Sequence, residues 1–306
     1  DQCLLATGGV PRRLNVPGSD LENVFHLRSL EDARVIVAAV EQAKSVLVVG
    51  AGFIGMEVAA SLRERGLEVH LVAPEKVPLV NVFGERVGKR IQRLHEQKGI
   101  LFHLGTTLKE IVGTKKVQEV VLSDGSRLSV DVVVVGLGIL PAIEYLQKTN
   151  LVQDGAVPVN ERLETRAKGI YAAGDIAVVP DPNTGEGRRI EHWVVAERQG
   201  QHAARIMLGH TEPYNEVPFF WTRQHGVSLK YVGFAKQFDQ IAYRGDVETG
   251  HFLAGYYDNG KLKAAVTIGM SKELFAIEQI LKTGRSLSFD RFQDEGVDLF
   301  ALSQGG

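Results

Sequence analysis

Apolar residues along the chain follow two rhythms, and the points where one gives way to the other mark its organisation. The run SVLVV at 45–49 is short, continuous and β-branched, the pattern of a strand buried on both faces. It leads at once into Gly50-Ala51-Gly52-Phe53-Ile54-Gly55, and the following MEVAASLRERG predicts a helix that stops at Gly66. EVHLVA at 68–73 predicts the next strand, 86–98 the next helix and 101–104 a further short strand. Between 111 and 135, β-rich segments alternate around turns at Thr114-Lys115 and Asp124-Gly125, which predicts an antiparallel meander inserted into the α/β unit. DVVVV at 131–135 predicts a buried strand running into Gly136-Leu137-Gly138-Ile139-Leu140-Pro141. Upstream, EDARVIVAAVEQ at 31–42 has helical spacing with acids in its first turn, and predicts a linker helix.

A second short strand stops at Gly174-Asp175, a polar loop follows at 181–189, and 191–208 predicts another helix. From Pro218 the pattern changes to short strands and turns and closes with the helical SKELFAIEQILKTG, so a C-terminal α+β domain begins near residue 215. The fold class is therefore α/β, with three-layer Rossmann-like dinucleotide-binding domains, an antiparallel meander insertion and a C-terminal α+β domain.

Composition narrows the function classes. Over 306 residues, hydrophobic residues make up 44% and charged residues 24%, as in ordinary globular proteins, and no apolar run approaches the ~20 residues that span a bilayer. A formal charge of -2 gives no electrostatic footprint for nucleic acid. Lys115-Lys116 and Arg188-Arg189 read as solvated loop charges. Cys3 is the one cysteine, which excludes an intrachain disulfide, a CxxC dithiol and a cysteine-ligated metal site. The first residues, DQCLLATGG, lack the basic region and cleavage pattern of a targeting peptide and read as a strand entering a glycine turn, as if the chain began inside a domain.

Gly50, Gly52 and Gly55 carry the sharpest chemistry. A GxGxxG that follows a buried strand and opens a helix is a dinucleotide fingerprint. The first glycine makes the turn, the second admits a pyrophosphate, and the third brings the helix close to the strand. The phosphates then meet free N–H groups and the positive end of the helix dipole. About 20 residues further on, the end of the second strand should hold an acid for a ribose hydroxyl or a base for a 2'-phosphate. Here Ala73 occupies that place, with Glu75 and Lys76 just beyond. The set leans towards NADH, with NADP possible.

Thr7-Gly8 beside an apolar strand, Gly136 and Gly138 after DVVVV, and YAAGD ending at Asp175 form a constellation spanning nearly the whole chain. Together they resemble the FAD- and NAD(P)-dependent pyridine nucleotide oxidoreductases. GFIGMEVAASL, EHWVVAERQGQHAA and PFFWTRQ are most similar to the ferredoxin reductase and apoptosis-inducing-factor branch, closest to its type 3-like group, which carries a Rieske module. The resemblance implies an NAD(P)-binding domain at 37–159, remaining FAD-domain pieces at 1–36 and 160–214, and an interface domain at 215–306. It implies that Asp175, with Gly174 allowing its approach, binds the ribityl or phosphate region of FAD, that Thr7 and Gly8 line the flavin side, and that Glu57 reaches the nicotinamide. Trp193 is similar to an aromatic residue covering the nicotinamide and flavin rings, Trp221 to one near the flavin, and His192 to a flavin donor. Phe53, Ile54 and Glu75 complete the implied cofactor set.

Plainer readings stand beside these. Glu57 is also an acid early in a helix, the tryptophans also suit a core or interface, and His192 also suits a structural histidine. The family places a first GxGxxG near its N-terminus for FAD, and none precedes residue 50 here, so roughly half of that domain is expected to be missing and FAD to be held weakly by this chain alone. The implied activity is hydride transfer from NAD(P)H to FAD, with electrons passed to an iron–sulfur protein or quinone, in a mitochondrial setting and with a homodimer compatible. The rival is an NAD(H)-responsive interaction protein with little turnover.

Overall fold

The computed structural model describes residues 1–304. Its central sheet has five parallel strands in the order Val24–His26, Val132–Val135, Ser45–Val49, Glu68–Ala73 and Ile100–Leu104. Strands this apolar expose side chains to both faces, and each face finds its own cover. Val46, Val48, Val69, Leu71 and Val134 pack under the helices Leu30–Val40, Phe53–Glu64 and Val80–Gln97. Leu47, Val49, Val72, Val133 and Val135 pack instead against the expected meander, Leu108–Gly113, Val117–Leu122 and Arg127–Ser129. The meander is thus the third layer.

Two boundaries and one surface assignment differ from the sequence reading. Val24–His26 pairs in parallel with Val132–Val135, so this segment joins the central sheet before residue 37. The second helix begins at Val80 rather than 86, because Gly84 (φ 74) breaks its backbone and hides its first turn from a periodicity count. Arg188 is no solvated loop charge: its side chain is 14% exposed and its guanidinium lies 2.7 Å from Asp181.

The remaining pieces join the first residues of the chain to its middle. Cys3–Leu5 pairs in parallel with Ile170–Ala172, and Gly9–Pro11 pairs antiparallel with Ile139–Pro141. A separate core forms there from Leu163, Tyr171, Ile176, Val179 and helix residues Ala203 and Ile206.

The C-terminal domain is a five-stranded antiparallel sheet in the order Phe219–Gln224, Val227–Gly233, Lys261–Ile268, His251–Asp258 and Gln240–Asp246. One face is covered by the helix Ser271–Lys282 through Leu274, Ile277 and Ile280. The other contributes Phe220, Tyr231, Phe252 and Tyr256 to the same core as Phe83, Val87 and Met56. The helices Phe53–Glu64 and Val80–Gln97 are therefore packed between two sheets, and one hydrophobic core spans both.

Candidate active site

Each glycine of the fingerprint has a separate geometric reason. Gly50 adopts φ 107, and a Cβ there would lie 2.5 Å from the Gly136 carbonyl oxygen. At Gly55 a Cβ would lie 1.9 Å from the Gly50 carbonyl oxygen, so the helix can start against the turn only without a side chain. Gly52 is the reverse: it caps the helix Phe53–Glu64 with no side-chain hydrogen bond, and nothing lies within 4 Å of where its Cβ would be. The open space in front of Gly52, at a bare helix N-terminus, fits a pyrophosphate.

The other junctions are clamped together. Thr7 Oγ1 donates to the Ala142 carbonyl at 2.7 Å, and the Ala142 N–H donates to the Gly8 carbonyl at 2.8 Å. The Gly138 carbonyl accepts from the Arg12 N–H at 2.9 Å. Gly174 adopts φ 76 and donates its N–H to Gln199 Oε1 at 2.8 Å, and a Cβ there would lie 3.3 Å from Ala196 Cβ. Asp175, 7% exposed, accepts from Arg28 Nη2 at 2.9 Å, while Arg28 Nε donates to the Gly9 carbonyl at 3.0 Å.

Between these junctions lies a cleft of about 470 Å³. Gly8, Gly174 and Asp175 line one side of it, and Phe53, Ile54 and Glu57 from the fingerprint helix line the other. His192, Trp193 and Trp221 close its third side. The two tryptophans meet edge to face with centroids 5.2 Å apart, yet remain 62% and 43% exposed, so they are not core residues. His192 packs 4.4 Å from the Phe220 ring, burial pushes its pKa down to about 4, and its Nδ1 finds no hydrogen-bond partner among the described residues. A neutral, buried ring stacked behind exposed indoles gives the cleft an aromatic wall that fits the face of a planar heterocycle. Thr7, Gly50, Gly52, Gly55, Gly136 and Gly138 do not line this cleft, and Glu75 stands apart in the turn after Ala73, its carbonyl accepting from the Gly105 N–H at 3.1 Å.

Four contributors carry no motif. Arg28 follows a short strand and reads as a surface base until Asp175 is seen to need a cation. Gln199, Thr222 and Gln224 are polar residues at the inward positions of their elements, which is the available signal.

Residues 1–200 match the family described as pyridine nucleotide-disulphide oxidoreductase, and 219–303 match the reductase C-terminal family. The chain belongs to the pyridine nucleotide-disulphide oxidoreductase family. It is 35% identical to apoptosis-inducing factor 3 of Homo sapiens over 98% of its own length and 49% of that protein, so it spans about half of that relative. It is 31% identical to the ferredoxin–NAD(+) reductase component of the anthranilate 1,2-dioxygenase system of Burkholderia cepacia, over 97% of its length and 73% of that protein. The ferredoxin reductase for the CYP199A2 system from Rhodopseudomonas palustris superposes with a TM-score of 0.93 at 33% identity, over 99% of this chain and 75% of that one. Cys3, the single cysteine, is exposed, so these residues contain no dithiol of the kind the family's name refers to. Among the described residues no helix is long and apolar enough to cross a membrane, and no cluster of His, Cys, Asp and Glu could hold a metal ion.

Proposed function

We propose that this chain is the nicotinamide-binding and flavin-facing part of a flavoprotein that takes hydride from NADH and passes electrons to an iron–sulfur protein. One observation carries the reading: Glu57 and Asp175, from two different glycine junctions, line the same cleft. Glu57 stands five residues past Gly52, about 7.5 Å along the helix axis at about 1.5 Å per residue. A dinucleotide with its pyrophosphate over Gly52 therefore extends its nicotinamide towards the space that Asp175 and Gly174 border.

Bound FAD would supply the two-electron acceptor that converts hydride transfer into single-electron delivery. The chain's own residues do the rest. Gly52 admits the phosphates, Glu57 offers a carboxylate to the nicotinamide end, and Asp175, oriented by Arg28, offers one to the ribityl end. Trp193 and Trp221 exclude water from the ring side of the cleft, and Arg28 and Gln199 hold the Gly8 and Gly174 turns in place. The described residues contain one strand–glycine–helix cradle, which this reading gives to NADH, so they are assigned the ring and ribityl end of FAD. Ala73 supplies neither an acid nor a base at the ribose, which supports only a mild lean to NADH.

An iron–sulfur acceptor is favoured over a quinone by the named ferredoxin reductases among the relatives. Relatives differ in compartment: a peroxisomal monodehydroascorbate reductase of Arabidopsis thaliana matches at 31% identity. The test is anaerobic mixing of the FAD-loaded protein with NADH. Loss of the flavin absorbance, followed by its return on adding an oxidised ferredoxin, is expected; a flavin that stays oxidised at saturating NADH overturns the reading.

A further inference from the structure

Glu57 stands exposed in the cleft, yet one of its oxygens is tied to a line of polar side chains running into the interior. Thr222 Oγ1 donates to Glu57 Oε1 at 2.5 Å, Gln224 Nε2 donates to Thr222 Oγ1 at 3.0 Å, and His95 Nε2 lies 2.7 Å from Gln224 Oε1. Thr222 and Gln224 are each 5% exposed and His95 is fully buried. All three occupy positions where the pattern calls for apolar residues. In Phe219–Gln224 the inward side chains are Phe220, Thr222 and Gln224, and in Val80–Gln97 His95 continues the buried row of Val87 and Ile91. Burying three polar groups is costly unless every one is paired, and an apolar substitute would pack as well. The line therefore calls for a reason beyond stability.

Its direction is fixed by the chemistry of the groups. Gln224 points its amide nitrogen at Thr222, so its oxygen faces His95, and an amide oxygen only accepts. His95 must then carry its proton on Nε2. Burial lowers its pKa to about 4 and keeps the ring neutral, so Nδ1 is an acceptor, and it finds no partner among the described residues. All three hydrogen bonds run towards the carboxylate, and hydrogen bonds aligned in one chain polarise one another.

We propose that Thr222, Gln224 and His95 are positioning residues that fix the Glu57 carboxylate, one oxygen held from the interior and the other left free for the nicotinamide. The proposal rests on the reading of the cleft as a nicotinamide site. A glutamate on an exposed helix surface samples several rotamers, and the line selects one. It also makes the C-terminal domain part of the site, since two of its three members come from Phe219–Gln224.

The test is the rate of flavin reduction at saturating NADH, measured beside the NADH dissociation constant. Thr222→Val keeps the shape and removes the donor. It should slow reduction about tenfold while changing the dissociation constant by less than about threefold, because the Gly52 cradle is untouched. Thr222→Ser should restore the rate. In a Glu57→Gln background, Thr222→Val should add almost nothing, since the two act through one contact. Gln224→Met breaks the line one link deeper and should slow reduction by a smaller factor, which keeps the proposal testable if Thr222→Val folds poorly. A normal rate in either variant, or fully multiplicative losses in the double variant, overturns the positioning role. A parent protein that binds NADH but never reduces its flavin overturns the functional reading itself, and this role with it.

Discussion

Single residues in this site can be sorted by what surrounds them rather than by their identity. Gly52 and Gly84 are both glycines at a helix, yet one faces open space and the other sits 2.5 Å, measured from an ideal Cβ, from Ile241 Cδ1. Gly52→Val should therefore abolish NADH binding while leaving the circular dichroism spectrum and urea midpoint unchanged; undiminished affinity would remove the pyrophosphate from this turn. The same economy applies at Ala73. A dissociation constant for NADPH more than a hundredfold below that for NADH, about 2.7 kcal/mol, would show that Lys76 or an arginine elsewhere controls the ribose. That Gly8, Gly174, Asp175 and the two tryptophans gather around one cleft is legible in the sequence, because their residue types are selective in that context. Arg28 was not, since its role depends on Asp175, 147 residues away in sequence, and no local pattern expresses such a pairing.

At the scale of elements, continuous β-branched runs read well and broken helices read badly. Ser45–Val49 and Val132–Val135 are so apolar that burial on both faces is their only outcome. Val80–Gln97, by contrast, carries Gly84 at φ 74 near its start, so the periodic pattern begins only beyond the break. Three-residue strands such as Val24–His26 offer too few alternations to show which sheet they join. The break at Gly84 is itself a packing device, because Tyr256 donates its hydroxyl to the neighbouring Phe83 carbonyl at 3.2 Å, taking up an oxygen that a continuous helix would have used. Gly84→Ala would have to hold a positive φ and push Ile241 aside, so it should lower unfolding stability by about 2–3 kcal/mol, read as a lower urea midpoint with unchanged slope.

For the whole molecule, the shared core decides cooperativity. Phe83, Val87, Phe220, Tyr231 and Tyr256 lie in one cluster across two nominal domains, so the nicotinamide-side sheet and the C-terminal sheet should unfold in one transition, with tryptophan and circular dichroism probes coinciding. The sequence shows where the C-terminal pattern changes, but not that this change falls within a single core. Acid tolerance also belongs here. His95 and His192 have folded pKa values lowered to about 4 by burial, against 6.5 unfolded, so below about pH 6.5 the unfolded chain binds protons that the folded one refuses. Stability is therefore full above that pH and falls as pH drops towards about 4. Each of the two should cost about 2 kcal/mol by about pH 5. Chemical denaturation at neutral pH and near pH 5 measures this, and equal stabilities would mean that both rings titrate normally.

The chain's two tryptophans, Trp193 and Trp221, both stand at the mouth of the cleft. Its ultraviolet emission is consequently a local signal, not an average over the fold. Dihydronicotinamide absorbs where indole emits, and an oxidised flavin quenches it more strongly still, so arrival of either cofactor should dim the protein without any label. Because the rings touch edge to face at 5.2 Å, they respond as a coupled pair. Replacing either one with phenylalanine should leave a single emitter whose residual quenching by NADH tells which ring lies nearer the nicotinamide, an optical ruler that the sequence supplies unasked.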